Sequence, residues 1–267
     1  MPGFGLTFGV SLAWLGLIVM IPLSALLIRA AGLGWDGWLA VLSSERVWLA
    51  MRLTFGASFL AAVIASVLGT LIAWVLVRYS FHGRRLFDAM VDLPFALPTA
   101  VAGIALTALY SRNGWIGQFL EPIGIKVAQT PIGIVLALVF ISLPFAVRTV
   151  QPLMESATRE LEEAAATLGA SRARIVRTVV LPPLLPAIVT GFGLAFARSV
   201  GEYGSVIFIA GNIPFVSEIV PLLIVIRLEE FDYLGATGVA TLMLVVSFIC
   251  LLLISLLHRS VSYGASR

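Results

Sequence analysis

A chain of 267 residues, 60% of them apolar and 12% charged, has more oily surface than a water-soluble core can hide. With a mean hydropathy of +1.06 it reads as an integral membrane protein whose solvent is lipid, not as a soluble domain. The formal net charge of +3 is small, and a lone cysteine, Cys250, excludes an intrachain disulfide.

A spanning helix needs about 20 apolar residues, because roughly 30 Å of hydrocarbon is crossed at 1.5 Å per residue. The first segment to qualify is 8–28. No positive side chain precedes it in residues 1–10 and the run is too long for a leader's apolar core, so a cleavable signal peptide is not expected. The stretch 38–51, broken by Ser43, Ser44, Glu45 and Arg46, predicts a helix lying at the interface. Spans follow at 54–77 and 91–110. In the latter, Pro94 is tolerable in a first turn, Pro98 predicts a kink, and Asp92 just ahead suits an interfacial cap. A fourth span is expected at 132–150.

The next region is unlike its surroundings, with a charge every two or three residues. Met154, Ala157, Leu161, Ala164, Ala165 and Leu168 recur at three- and four-residue steps, which is one stripe of a helix. Gly169 follows where a C-terminal cap needs a left-handed residue, and Ser171 suits the N-cap of a second helix bearing Arg172, Arg174 and Arg177. Pro182, Pro183 and Pro186 are expected to stop that helix at the entrance to a fifth span, 187–210. The whole is a helix–glycine–helix elbow whose small Ala164, Ala165 and Ala166 would let a partner's backbone approach closely. A short apolar stretch, 220–226, again suits the interface, and the acidic cluster Glu229, Glu230 and Asp232 precedes the sixth span, 236–257.

Loop charges orient the chain. Arg78, Arg84, Arg85, Arg148, Arg159, Arg172, Arg174, Arg177, Arg259 and Arg267 fall on one side. Arg29, Arg46, Arg52, Arg112, Lys126 and Arg227 fall on the other. The excess places both termini and the elbow in the cytoplasm. Lys126 is the single lysine and follows Ile125, so no Gly-Lys pair can form a phosphate-binding Walker loop in this chain.

Within the fifth span Arg198 and Glu202 lie four apart on one helical face. Each alone would cost a few kcal/mol at mid-membrane, and as a pair they partly neutralise one another. Two readings stay open: a structural ion pair that locks helices, or a border of a translocation pathway with Tyr203 and Ser205, in which Arg198 lends positive potential to an oxyanion. Gly201, Gly204 and Gly211 would let helices pack closely or bend.

The pattern Glu163-Ala164-Ala165, three residues, Gly169, nine residues, Val179, one residue, Leu181-Pro182 resembles the EAA loop of ABC-importer permeases, with valine at 179 where that family usually has isoleucine. The stretches DLPFALPTAVAGIAL, ARSVGEYGSVIFIAGNIP and SEIVPLLIVIRLEEFDYLGATGVATLMLV resemble sulfate/thiosulfate permease subunits of the CysT (CysU) type, and molybdate permeases share pieces of them. The resemblance implies an all-α membrane protein with six transmembrane helices and a type I-like ABC-importer permease fold. It implies a single permease domain over 1–267 with 151–186 as its coupling loop. In that loop Glu162, Glu163, Ala164, Ala165, Leu168 and Gly169 would make or shape the contact with an ATP-hydrolysing subunit. It further implies two ATPase subunits carrying ATP and Mg²⁺, a second related permease, a periplasmic sulfate-binding protein and a bacterial inner membrane. No catalytic residue, metal or cofactor is expected on this chain. A secondary transporter would carry several intramembrane carboxylates where these spans have only Glu202 and Asp92. An intramembrane enzyme would need more than His82 and His258, which have neither metal-ligand spacing nor a catalytic partner. A passive channel leaves the elbow unexplained.

Overall fold

The computed structural model describes residues 3–157 and 160–265, so Arg159 and Arg267 lie outside the described residues. Among these the chain is all α, with no strand. Helix α1 spans Phe4–Ala31, α2 Gly34–Ser43, and α3 Glu45–Arg78, 34 residues long. The third passage is made of pieces: α4 (Arg84–Val91), α5 (Leu93–Ala96) and α6 (Thr99–Tyr110). After the short α7 (Gly117–Leu120) come α8 (Pro131–Ser156), α9 (Glu160–Thr167) and α10 (Arg172–Val200). The chain closes with α11 (Val206–Ile209), α12 (Val220–Glu229) and α13 (Tyr233–Ala265). Five of these helices are long and apolar enough to cross a bilayer, and the broken third passage supplies the sixth crossing.

Three helices, α3, α8 and α10, form the centre. Small residues let them approach, since without a hydrophobic force between helices in lipid, close packing supplies the attraction. Ala57, Ala61, Ala62, Ala65, Gly69 and Ala73 of α3 are buried on that face, and a Cβ on Gly69 would stand 2.7 Å from Ala146 Cβ. Phenylalanines fill the α3–α10 seam toward the C-terminal end of α10: Phe55 against Phe196 at 6.4 Å and Phe59 edge-on to Phe192 at 5.5 Å. Helix α13 lies against α10, α12 and α2, while α1 touches α13 with its second half and buries almost nothing.

Four expectations are corrected. The stretch 38–51 is not one interfacial helix: it breaks at Ser44, whose extended backbone (ψ 114°) ends α2, and Glu45 opens the second span nine residues before the expected 54. Arg46, which argued against membrane, is tied two-pronged to Glu218 at 2.8 and 2.6 Å, 172 residues further along the chain. The third passage is broken at Pro98, not merely kinked. Leu97 before it is extended (ψ 133°), as a residue preceding proline prefers, and α6 starts anew after Pro98. The stripe through 151–168 is divided between the end of α8, where Met154 is buried, and α9. Finally Pro182, Pro183 and Pro186 do not stop a helix, because α10 runs on for 29 residues. A π-turn over Val176–Val180 widens the helix just ahead of Pro182 and Pro183, which open the α-helical stretch that follows, and Pro186 lies inside that stretch.

The second half of the third passage, α6, is held by close contact with the 204–205 turn. A Cβ on Gly103 would lie 2.3 Å from the Ser205 carbonyl oxygen, and one on Gly204 would lie 2.2 Å from Thr99 Oγ1. Gly201, by contrast, faces open space, so of the glycines expected to allow packing Gly204 and Gly211 do so and Gly201 does not. Gly103→Ala forces the α6–α11 contact apart at a cost of about 1–3 kcal/mol, the usual range for overpacking. A lowered melting midpoint in detergent, beside an unchanged Gly201→Ala control, is the expected result.

Candidate functional site

The elbow closes as a Schellman motif. Gly169 has φ +82°, its N–H donates to Ala166 O at 3.0 Å, and Ala170 N–H donates to Ala165 O at 3.0 Å. Ser171 starts α10 with an extended backbone (ψ 154°), but its hydroxyl makes no cap bond, so the capping role expected of that side chain is not met. Of the expected coupling residues, Glu162 and Ala165 turn partly inward. Glu163, Ala164, Leu168 and Gly169 face out. Leu168 is 89% exposed and Leu161 64%, so α9 presents an apolar face that this chain does not cover.

Glu162 is already occupied: Arg78 Nη2, at the end of α3, donates to its Oε1. The Arg78 guanidinium carbon also stands 5.5 Å from the centroid of the Trp74 ring. Neither Arg78 nor Trp74 was marked from sequence, where Arg78 counted only as a loop charge. A basic residue closing a long apolar helix, four after a tryptophan, is the signal that was there to read.

A second knot sits at the same end. Arg148 donates to both oxygens of Asp92 (2.9 and 2.7 Å), to Asp88 Oδ1 (2.6 Å) and to the Asp88 carbonyl (2.9 Å). Asp92 is therefore not a side-chain cap, as its position suggested, but an ion-pair partner that ties the inner half of the third passage to α8. Arg148, counted as a loop charge, lies inside α8.

The membrane-depth pair forms, though not on one helical face. Helix α10 ends at Val200 and Glu202 lies in the turn beyond, where it meets Arg198 Nη1 at 2.8 Å. The carboxylate is buried, 2% exposed in its side chain, and its other oxygen accepts the Ser205 N–H (3.0 Å) and hydroxyl (3.1 Å). Three donors thus satisfy Glu202, one of them the Arg198 Nη1, and Arg198, about a third exposed, keeps further N–H groups for another acceptor. Tyr203 is separate from this group and packs against the cluster of Ala57, Leu138 and Val206. Of the acidic cluster before α13, Glu229 and Glu230 are exposed, while Asp232 caps α13 by accepting the Gly235 N–H at 2.8 Å.

Helices that cross a bilayer around a small-residue core, with an uncovered helical elbow before the penultimate span, define a multi-pass membrane protein of the permease class. The chain belongs to the family described as binding-protein-dependent transport system inner membrane component, whose model matches residues 65–263. It is 49% identical over 258 residues to the sulfate transport system permease protein CysT of Salmonella typhimurium, covering 97% of this chain and 93% of that protein. It is 48% identical over 250 residues to the protein of the same name from Synechocystis, covering 94% and 87%. The fold matches that of a chain in a bacterial ABC transporter that imports alginate, with a TM-score of 0.78 at 17% identity over 96% of this chain and 95% of that one.

Proposed function

We propose that this chain is the membrane permease subunit of an ATP-driven importer of sulfate and thiosulfate in a bacterial inner membrane. The observation that carries the reading is α10 itself. One unbroken helix of 29 residues joins the elbow to the turn holding Arg198 and Glu202, so displacement at α9 has a rigid path to membrane depth. The uncovered face of α9, with Glu163, Ala164, Leu168 and Gly169, would sit in a groove of a separate ATPase subunit, and two such subunits would hold ATP and Mg²⁺. A second, related permease would complete the pathway, and a periplasmic binding protein would deliver the anion. Support for that delivery comes from the family's description and from an alginate transporter of the same fold that was solved with its periplasmic protein. The anion assignment leans on the identity to sulfate permeases.

In this reading the chain breaks no bond. Arg198, with Glu202 also held by Ser205, offers its remaining guanidinium N–H donors to a tetrahedral oxyanion, and Tyr203 backs the turn that carries them. The test is uptake of labelled sulfate into proteoliposomes containing the chain with its partner subunits and binding protein. Arg198→Gln is expected to lower uptake by about tenfold or more, the loss of a charge-assisted bond of about 1.5–3 kcal/mol, with assembly retained. Unchanged uptake removes Arg198 from the pathway, and uptake of labelled molybdate in place of sulfate moves the chain to the molybdate permeases.

A further inference from the structure

We infer that Arg78 is the strut that carries movement of the coupling helix into the transmembrane bundle, an inference that rests on the coupling reading of α9. Besides its elbow onto the start of α10, α9 packs only weakly on the rest of the chain. Between it and the inner ends of α3, α8 and α10 lies a cavity of about 270 Å³, lined by Leu153, Leu161, Val179 and Leu184, with Arg78 and Glu162 on its wall. A helix beside open space can tilt without displacing a packed neighbour. What spans the gap is the Arg78–Glu162 pair.

Arg78 is built for that work. Its side chain is 9% exposed and emerges from the last residue of α3, so it has little freedom to follow α9 without moving α3 as well. The guanidinium stands beside the Trp74 ring and donates through Nη2 to the Glu162 carboxylate. A planar, delocalised cation suits both at once, where an ammonium would serve only as a point charge. Its Nε is buried without an acceptor, so the surroundings are not arranged to satisfy every hydrogen bond of this group, and an unmade buried bond costs stability. At its far end α3 is fastened by Arg46 to the buried Glu218, just ahead of α12. A push on Glu162 therefore enters the longest unbroken helix of the bundle and is delivered near the opposite membrane face.

The experiment uses the full transporter complex in proteoliposomes, with three readouts: ATPase subunit co-purified, ATP hydrolysed, and labelled sulfate taken up per ATP. Arg78→Gln is expected to keep ATPase binding and hydrolysis while uptake per ATP falls about tenfold, within the range for residues that carry coupling between sites. Arg78→Lys, which keeps the charge and loses the planar group beside Trp74, is expected to recover part of that ratio. An unchanged ratio in Arg78→Gln overturns the strut. So does a parallel loss of ATPase binding, hydrolysis and uptake in both variants, which would make Arg78 a staple of the fold. Glu163→Arg run alongside separates the two proposals. If it leaves recruitment and uptake intact, the coupling reading of α9 fails. If it uncouples while Arg78→Gln does not, the strut alone fails.

Discussion

Gly169→Pro is expected to abolish anion uptake while leaving the chain in the membrane. The glycine stands at φ +82°, and proline holds φ near −65° and has no N–H to give. The substitution removes the bond to Ala166 O and points α9 away from the direction set by its Schellman turn. Gly169→Ala is milder, since a left-handed non-glycine residue costs about 1–2 kcal/mol. Glu163→Arg reaches the same end by another route. Its side chain is exposed, so the fold should shift by about 0.5 kcal/mol or less, yet a reversed charge at the face of α9 is expected to cut ATPase recruitment and uptake about tenfold or more. Normal ATP-dependent uptake by both Gly169→Pro and Glu163→Arg would dismiss α9 as the coupling element.

The second large effect is on stability. Arg46→Met leaves Glu218, whose side chain is 1% exposed, as a buried carboxylate with no countercharge. Breaking a buried pair from one side costs about 3–5 kcal/mol, whereas replacing both members by apolar residues of similar size is often near neutral. The single variant is expected to lose much of its folded yield in detergent, and Arg46→Met/Glu218→Met to regain most of it. Equal behaviour of the single and double variants, read as thermal unfolding monitored by tryptophan fluorescence, would show that the bidentate pair is not what holds the start of α3 to the segment before α12.

What could be read in the sequence was local. Apolar runs located all the crossings, and the left-handed turn at Gly169 followed from glycine beside a helical stripe. What escaped depended on partners distant in sequence. The start of α3 was hidden because Arg46 is offset by a carboxylate 172 residues away, and Asp92 passed for a cap because Arg148 lay 56 residues ahead. The prolines after the elbow misled for a different reason. Proline disfavours a helix without forbidding it: a π-turn over Val176–Val180 shifts the register just ahead of Pro182 and Pro183, and Pro186 is carried inside the helix as Pro144 and Pro152 are in α8. Arg198 and Glu202 were rightly paired, but α10 ends between them, and the turn that follows also enlists Ser205.

The break in the third passage has a mechanical consequence. Its inner link is bolted to α8 by Arg148, and its outer link leans on the 204–205 turn through Thr99 and Gly103. The last bond of the inner link runs from Leu97 N–H to Leu93 O, and the outer link begins with Ala102 N–H on Pro98 O, so no backbone hydrogen bond crosses the joint. Proline fixes its own φ and confines Leu97 to extended backbone, so the two links keep a set bend, and each is held by its own neighbour with no helical bond to couple them. Beside the continuous helices α3, α8 and α10, this passage is a bent elbow whose two arms answer to different partners.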